Sequence, residues 1–134
     1  MRYLLDVNAL LAAIWRNHPD FVKTDAWIQT RELATCPLSE LGFLRVSTHP
    51  KALKADMATA RQLLKAFIEK KRVEFVTASL PALQSKPARS EEVTDFYLAE
   101  LAAKNRMKLA TLDRNIHHPA VEVIAPPPPE VATQ

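Results

Sequence analysis

The chain has 134 residues, 48% of them hydrophobic, so it is long enough for one compact domain and too short for two. Its formal net charge of +3 suits a polyanionic partner without requiring one. Gly42 is the only glycine, which excludes phosphate-binding loops and dinucleotide fingerprints, because these need several glycines. Any phosphate chemistry must therefore rely on side chains.

Cys36 is the only cysteine, so no internal disulfide can form and a reducing compartment is favoured. The sequence has no basic-then-apolar leader, and no apolar run approaches the roughly eighteen residues that span a bilayer. We therefore expect a cytoplasmic protein with no membrane partner.

Apolar periodicity predicts alternating strands and helices along the chain. The predicted strands are residues 2–6, 33–37, 73–77, 108–113 and 121–124. The predicted helices are residues 9–15, 19–31, 40–47, 54–72 and 93–106. Asn8 and Ser39 are the predicted N-caps of the first and third helices, and Pro19 suits a first helical position.

Strands separated by helices predict an α/β fold of three layers, with a central parallel sheet flanked by helices, because parallel neighbours need crossover connections. Residues 1–124 are expected to form this domain. Residues 125–134 are rich in proline, which cannot donate sheet hydrogen bonds. We expect this tail to be extended or disordered.

Four acidic residues lie at positions that solvation alone does not explain. Asp6 and Asp113 each end a predicted strand, which places them at the carboxyl edge of a parallel sheet, where ligands bind. Glu40 and Asp95 lie in first helical turns, on the apolar faces of their helices, and these turns meet the same edge. Four converging carboxylates would repel one another unless a cation such as Mg²⁺ lay between them.

A local role for each acid stays open at this point. An Asp directly after a strand is often a turn residue or a helix cap. An acid near a helix start is favoured by the helix dipole. Spacing along the chain does not establish that the four side chains are close together.

Four segments, in this order and spacing, resemble the signature blocks of PIN-domain ribonucleases, particularly VapC-type toxins: LLDVNALLA, SELGFLR, TDFYLAELA and LATLDRNI. The resemblance covers residues 1 to about 124, and it implies an α/β domain that cleaves RNA at a Mg²⁺ or Mn²⁺ site. The catalytic and metal-site acids that it implies are Asp6, Glu40, Asp95 and Asp113. Asn8 and Thr111 match accessory polar positions of the family, which we expect to bind substrate.

One departure from the family pattern is Asn115, because many members have a further acid there. An amide can still hold a metal-bound water, so we expect altered metal occupancy rather than loss of activity. Lys86, Arg89 and Arg114 flank two of the acids and are candidate phosphate contacts.

His117 and His118 suggest a transition-metal site, but adjacent histidines in a turn rarely reach one ion together, and we do not expect ligation. Trp15 and Trp27 lie on the first two predicted helices. Burial in a core or a subunit interface is favoured for them over stacking on bases.

Two other function classes compete with a nuclease. An aspartate-based phosphotransfer domain would need a carboxylate at the end of the third strand, where Thr77 stands, or two residues after Asp6, where Asn8 stands. A catalytically inactive module that binds RNA or a partner would be expected to lack at least one of the four acids, and all four are present. We therefore expect a metal-dependent endoribonuclease, the toxin of a type II toxin–antitoxin pair.

Two protein partners are also expected. The first two helices carry large apolar side chains that predict a homodimer, namely Leu11, Ile14, Trp15, Phe21, Trp27 and Ile28. The family resemblance implies a cognate antitoxin, and we expect its extended segment to lie along those helices and to block the acidic cleft.

Overall fold

The computed structural model describes residues 1–127 and places five strands and five helices within them. The strands are β1 (Arg2–Leu5), β2 (Glu32–Thr35), β3 (Glu74–Phe75), β4 (Met107–Thr111) and β5 (Val121–Val123). The helices are α1 (Val7–Ile14), α2 (Phe21–Ile28), α3 (Pro37–Thr48), α4 (Met57–Lys71) and α5 (Val93–Lys104). Two short 3-10 turns, Ala82–Gln84 and Ser90–Glu92, lie in the long connection before α5.

All five strands are parallel, and they lie side by side in the order β3-β2-β1-β4-β5. The chain adds β2 and β3 on one side of β1 and then returns to add β4 and β5 on the other side. This reversal creates a topological switch point between β1 and β4, whose carboxyl ends are a preferred place for ligands. Leu5 is in register with Ala110, so the residues that follow them emerge side by side.

Alternation along β1 directs its side chains into two separate cores. Tyr3 and Leu5 pack into the core beneath α1, α2, α3 and α4, whereas Leu4 packs into the core beneath α5. Both faces of the sheet are therefore covered, as is typical of parallel sheets. The predicted three-layer α/β fold with a central parallel sheet is confirmed.

Close packing of α3 against α1 fixes the segment that carries Asp6. A Cβ atom on Gly42 of α3 would overlap the side chain of Val7, the first residue of α1, so a larger residue would push the helices apart. At the other end of α1, the Trp15 indole N–H donates to Ser47 Oγ of α3 over 2.9 Å. The single glycine thus has a packing role beside the sheet edge where the acids lie.

Two of the predicted N-caps are wrong. The N-cap of α1 is Asp6, whose Oδ1 accepts a hydrogen bond from the Val7 N–H over 2.7 Å, so Asn8 lies inside the helix. The N-cap of α3 is Cys36, so Ser39 also lies inside its helix. Pro37 was predicted to end a strand, but it begins α3 instead, since a first helical position does not need the missing N–H.

Three predicted elements are shorter than expected by three residues or more. α2 begins at Phe21 and ends at Ile28, and α4 begins at Met57 after its N-cap Asp56. β3 has two residues because it is an edge strand that pairs only with β2. The predicted tail at 125–134 lies largely outside the described residues. No helix in the described part of the chain is both long enough and apolar enough to cross a membrane.

The apolar side chains that predicted a dimer are largely used inside the chain's own core. Three of them are buried, namely Leu11, Trp27 and Ile28, and three are partly buried, namely Ile14, Trp15 and Phe21. The surface available for a dimer on these helices is therefore smaller than expected, and the dimer itself stays a prediction. Leu41 and Phe75, on α3 and β3, are more exposed, at 63% and 55%.

Candidate active site

Three aspartates come together at the switch point of the sheet. Asp6 directly follows β1, Asp113 lies two residues beyond β4, and Asp95 lies in the first turn of α5. The charges of Asp6 and Asp113 both act on Asp95, and the charge of Asp113 also acts on Asp6. The structure thus brings together three of the four predicted acids.

Thr111, at the end of β4, is fully buried and connects the acids. Its hydroxyl donates to Asp6 Oδ2 over 2.8 Å and accepts from the Asp113 N–H over 3.1 Å. Asn8 donates its amide N–H to this hydroxyl over 3.2 Å, and its Oδ1 accepts from the Leu112 N–H over 3.0 Å. These hydrogen bonds favour a positioning role for Thr111 and Asn8 over the predicted contact with substrate.

Asp6 is 3% exposed, and burial raises the pKa of its carboxyl group above the ordinary 3.8. The hydrogen bonds from Thr111 and from the Val7 N–H lower this pKa, whereas the charge of Asp113 raises it. Burial has the largest effect, so the pKa stays raised although both carboxyl oxygens accept hydrogen bonds.

Burial also raises the pKa of the half-exposed Asp95 carboxyl, to about 6, and the charges of Asp6 and Asp113 add to this effect. Among the described residues, no lysine or arginine forms a salt bridge with any of the three aspartates. The cluster therefore concentrates negative charge that no salt bridge offsets in the described part of the chain.

Such a donor set suits a hard divalent cation, which prefers oxygen ligands and would offset the repulsion between the aspartates. Within residues 1–127, no three His, Cys, Asp or Glu side chains are placed to hold one ion together. Mg²⁺ commonly keeps several waters and needs only one or two carboxylates. The aspartates therefore fit Mg²⁺ held partly through water, rather than a cation held by protein ligands alone.

Glu40, the fourth predicted acid, is held beside the end of β2, the strand next to β1. Its carboxylate accepts a hydrogen bond from the hydroxyl of Thr35 over 2.6 Å. Thr35 ends β2, so Glu40 lies at the carboxyl edge of the sheet. It also lines a groove of about 900 Å³ between α3 and α4.

The PIN-domain family model matches residues 3–122 of the chain. The chain belongs to the PIN-domain family. It is 35% identical over 121 residues to ribonuclease VapC38 of Mycobacterium tuberculosis, covering 84% of this chain and 86% of that protein. It is 36% identical over 131 residues to ribonuclease VapC44 of the same species, covering 90% of this chain and 92% of that protein.

A solved structure shares the fold of this PIN domain. It is the crystal structure of VapBC2 from Rickettsia felis bound to a DNA fragment from their promoter. The superposition has a TM-score of 0.60 at 19% sequence identity and covers 92% of this chain and 97% of the other. This likeness supports the arrangement of strands and helices described above.

The groove beside Glu40 is a feature of this PIN domain that the sequence did not predict. Its apolar walls come from α3, α4 and the end of β3, and include Leu41, Leu44, Leu64, Ile68 and Phe75. Arg61 and Lys65 also line it, one turn apart on the same face of α4. Their spacing was visible in the sequence, but the helix that they face depends on tertiary packing.

The basic residues predicted to contact phosphate have different surroundings. Arg89 forms exposed ion pairs with Glu91 over 3.4 Å and with Glu92 over 3.1 Å. Lys86 and Arg114 are exposed and form no salt bridge within residues 1–127. Arg114 directly follows the third aspartate, so it lies nearest to the cluster along the chain.

Residues 112–120 connect β4 to β5 and carry Asp113. The Asn115 N–H donates to Asp113 Oδ1 over 2.8 Å. Asn115 is the residue that departs from the family pattern, and its backbone orients Asp113. Further along, His118 Nε2 lies 2.8 Å from Glu100 Oε1 on α5. The sequence did not predict this link, because the two residues are eighteen positions apart in different elements.

Proposed function

We propose that this PIN domain is a Mg²⁺-dependent endoribonuclease that hydrolyses RNA phosphodiester bonds as the toxin of a type II toxin–antitoxin pair. The observation that carries the proposal is the cluster of Asp6, Asp95 and Asp113 at the switch point, where no lysine or arginine within residues 1–127 pairs with them. Membership of the PIN-domain family and the similarity to the ribonucleases VapC38 and VapC44 support RNA as the substrate.

In this proposal the three aspartates hold Mg²⁺, or Mn²⁺ with the same ligand preference, partly through water. When bound, a cation of this kind would offset phosphodiester charge and lower the pKa of a water molecule towards neutrality. Thr111 and Asn8 keep Asp6 and Asp113 in place through their hydrogen bonds. Burial and the charges of Asp6 and Asp113 raise the pKa of Asp95 to about 6 without a cation, and a cation held by the aspartates would lower that pKa and keep Asp95 ionised.

Glu40 is proposed as the fourth catalytic acid, which would turn from Thr35 towards the cluster when RNA binds. Arg114 and Lys86 are proposed phosphate contacts, since both are exposed and flank Asp113 and Asp95 along the chain. Arg89 would contribute less, because its guanidinium is already paired with two acids of its own loop.

The test is a cleavage assay on total RNA with Mg²⁺, with Mn²⁺ and with chelator, followed by mapping of the cut ends. We expect cuts only when a divalent ion is present, and none with the Asp95→Asn variant at the same protein concentration. RNA that binds without being cut under any ion condition would favour the inactive binding module instead.

We also propose that an antitoxin segment lies in the α3–α4 groove rather than along α1 and α2, where the apolar side chains are mostly buried. Leu41 and Phe75 offer exposed apolar contacts there, and Glu40 lies in the same groove, so an occupant would cover that acid. Leu41→Glu should abolish inhibition by the product of the neighbouring gene, whereas Val22→Glu, an exposed position on α2, should not.

A further inference from the structure

His118 is nearly buried, with a side chain that is 8% exposed, and it contacts three groups. Its Nδ1 accepts a hydrogen bond from the Ala120 N–H over 3.0 Å, and its Nε2 lies 2.8 Å from Glu100 Oε1. Its ring packs edge-on against Phe96, with 5.6 Å between the ring centroids. Because Nδ1 is an acceptor, the proton lies on Nε2 and is donated to Glu100.

These contacts join the two segments that carry Asp113 and Asp95. Asp113 lies in the connection 112–120, which ends near His118, and Asp95 directly precedes Phe96 on α5. From the other side, Asn8 and Thr111 already bond the start of this connection. Among the described residues, the bond from His118 to Glu100 is the one side-chain hydrogen bond between the connection and α5.

We propose that His118 is a positioning residue that fixes Asp113 relative to Asp95 by tying the β4–β5 connection to α5. The inference rests on the proposed acidic site. A metal or catalytic site needs its groups held to within about 0.5 Å, and the residues between the acid and this tie, 114–117, are mostly exposed.

A purely local role for His118 would need less than the structure shows. Shaping the turn requires only the bond from Nδ1 to the Ala120 N–H, which an asparagine side chain could also accept. The bond to Glu100 and the contact with Phe96 cross to another element of the fold. A substitution that keeps the turn bond but loses the contacts with α5 therefore separates the local role from the positioning role.

The experiment compares His118→Asn, which keeps the turn bond but cannot reach α5, with His117→Asn, an exposed neighbour in the same connection. Glu100→Ala removes the same tie from the other side, and Glu100→Gln keeps an acceptor for Nε2–H. Each protein is measured for single-turnover cleavage, for the Mg²⁺ concentration that half-saturates its thermal stabilisation, and for its melting temperature in chelator.

We expect His118→Asn and Glu100→Ala each to lower the cleavage rate and to raise the Mg²⁺ midpoint by roughly tenfold to a hundredfold, with little change of the melting temperature in chelator. The double variant should be no worse than His118→Asn alone, because Glu100→Ala removes only a bond that His118→Asn has already removed. Glu100→Gln should restore most of the Mg²⁺ response, and His117→Asn should match the wild type.

An unchanged Mg²⁺ midpoint in both His118→Asn and Glu100→Ala would overturn the positioning role, as would defects that simply add in the double variant. If His118→Asn does not fold, Glu100→Ala decides, because that side chain is 38% exposed and its truncation is compatible with folding. If the wild type binds Mg²⁺ but cuts no RNA, the proposed function fails, while the Mg²⁺ midpoints still test the inference.

Discussion

Asp6 and Asp56 occupy the same local position, the N-cap of a helix, yet their carboxyl groups respond in opposite ways. Asp56 caps α4 and accepts hydrogen bonds from the Thr59 N–H over 2.7 Å and from the Thr59 hydroxyl over 3.0 Å. Asp6 caps α1 and likewise accepts from a backbone N–H and from a threonine hydroxyl. The pKa of Asp56 is lowered by its hydrogen bonds, whereas the pKa of Asp6 is raised.

The difference in pKa comes from where the threonine partner lies in each case and from what surrounds the carboxyl group. Thr59 is three residues from Asp56 in an exposed helix end, so its bonds stabilise a carboxylate that water also solvates. Thr111 is 105 residues from Asp6, and it holds that buried carboxyl beside two other acids that are partly exposed. A cap geometry is therefore compatible with a site role, and burial beside like charges distinguishes the two cases.

The largest expected effect is that of Asp95→Asn, which removes one charge from the cluster of three aspartates. We expect cleavage to fall by at least about a thousandfold, since several kcal/mol of metal-dependent stabilisation would be lost. In chelator the variant should melt higher than the wild type, because repulsion with Asp6 and Asp113 is relieved. Cleavage rates and thermal melts in chelator measure both effects.

Asp56→Asn is the matched control for this prediction, because it makes the same change at the exposed cap. It should retain wild-type cleavage and the wild-type response to Mg²⁺, which is about 2.7 kcal/mol at a concentration of about 100 times Kd. Asp95→Asn should lose most of that response. An active Asp95→Asn enzyme would refute the proposed site.

The next largest effect is expected for Thr111, the threonine that bonds Asp6, and Thr59 is its counterpart beside Asp56. Thr111→Val leaves Asp6 Oδ2 and the Asn8 amide without their buried partner, which should lower the free energy of unfolding by roughly 1–3 kcal/mol. Thr59→Val removes the same type of bond where water can replace it, so we expect almost no change. Urea denaturation of the two variants compares them directly, and equal losses would contradict the distinction between the caps.

The sequence predicted the parallel sheet and the three aspartates because both depend on local patterns. Strand ends and first helical turns follow from apolar periodicity, and Asp6, Asp95 and Asp113 lie at those positions. The caps of α1 and α3 were missed because Asp6 and Asn8 are both good cap residues, and Pro37 both ends strands and begins helices. Local preference does not choose between such alternatives.

Other features depend on contacts between distant parts of the chain, which periodicity does not show. Asn8 was predicted as a cap, but its amide bonds the Leu112 N–H, 104 residues away. Glu40 shares the carboxyl edge with the aspartates, and its carboxylate is bonded to Thr35. Such side-chain partners require the assembled sheet, so charge spacing alone does not give them.

The two caps should also differ in their pH dependence, with a smaller effect. Between pH 3.8 and about 6 the folded chain binds more protons at Asp95 than the unfolded chain does, so stability in chelator should fall as pH rises through this range. Because Asp95 is half-exposed, we expect a loss on the order of 1 kcal/mol. Below about pH 4 the lowered pKa of Asp56 acts in the opposite direction, since its stabilising carboxylate becomes protonated.

Thermal melts in chelator from pH 3.5 to 7.5 should therefore show a maximum at about pH 4. Asp95→Asn should flatten the decline above that maximum, and Asp56→Asn should flatten only the decline below it. Saturating Mg²⁺ should remove much of the decline above the maximum in the wild type, because bound cation favours the ionised cluster. A wild type whose stability in chelator rose from pH 5 to pH 7 would contradict the raised pKa of the cluster.

The smallest expected effect is that of Asp56→Asn on stability at pH 7. Asparagine is as good an N-cap as aspartate, and its Oδ1 can still accept from the Thr59 N–H. What is lost is the favourable interaction of a full charge with the N-terminus of α4, which water and salt already screen at this exposed position. We expect the melting temperature to fall by no more than about 2 °C, and by less in 1 M salt.

The melting temperature of Asp56→Ala, which removes the acceptor as well, should fall further, and the difference between the two variants isolates the hydrogen bond from the charge. If Asp56→Asn instead melted higher than the wild type in chelator, as we predict for Asp95→Asn, then relief of repulsion would not be special to the buried cluster, and the contrast between the two regions would lose its basis.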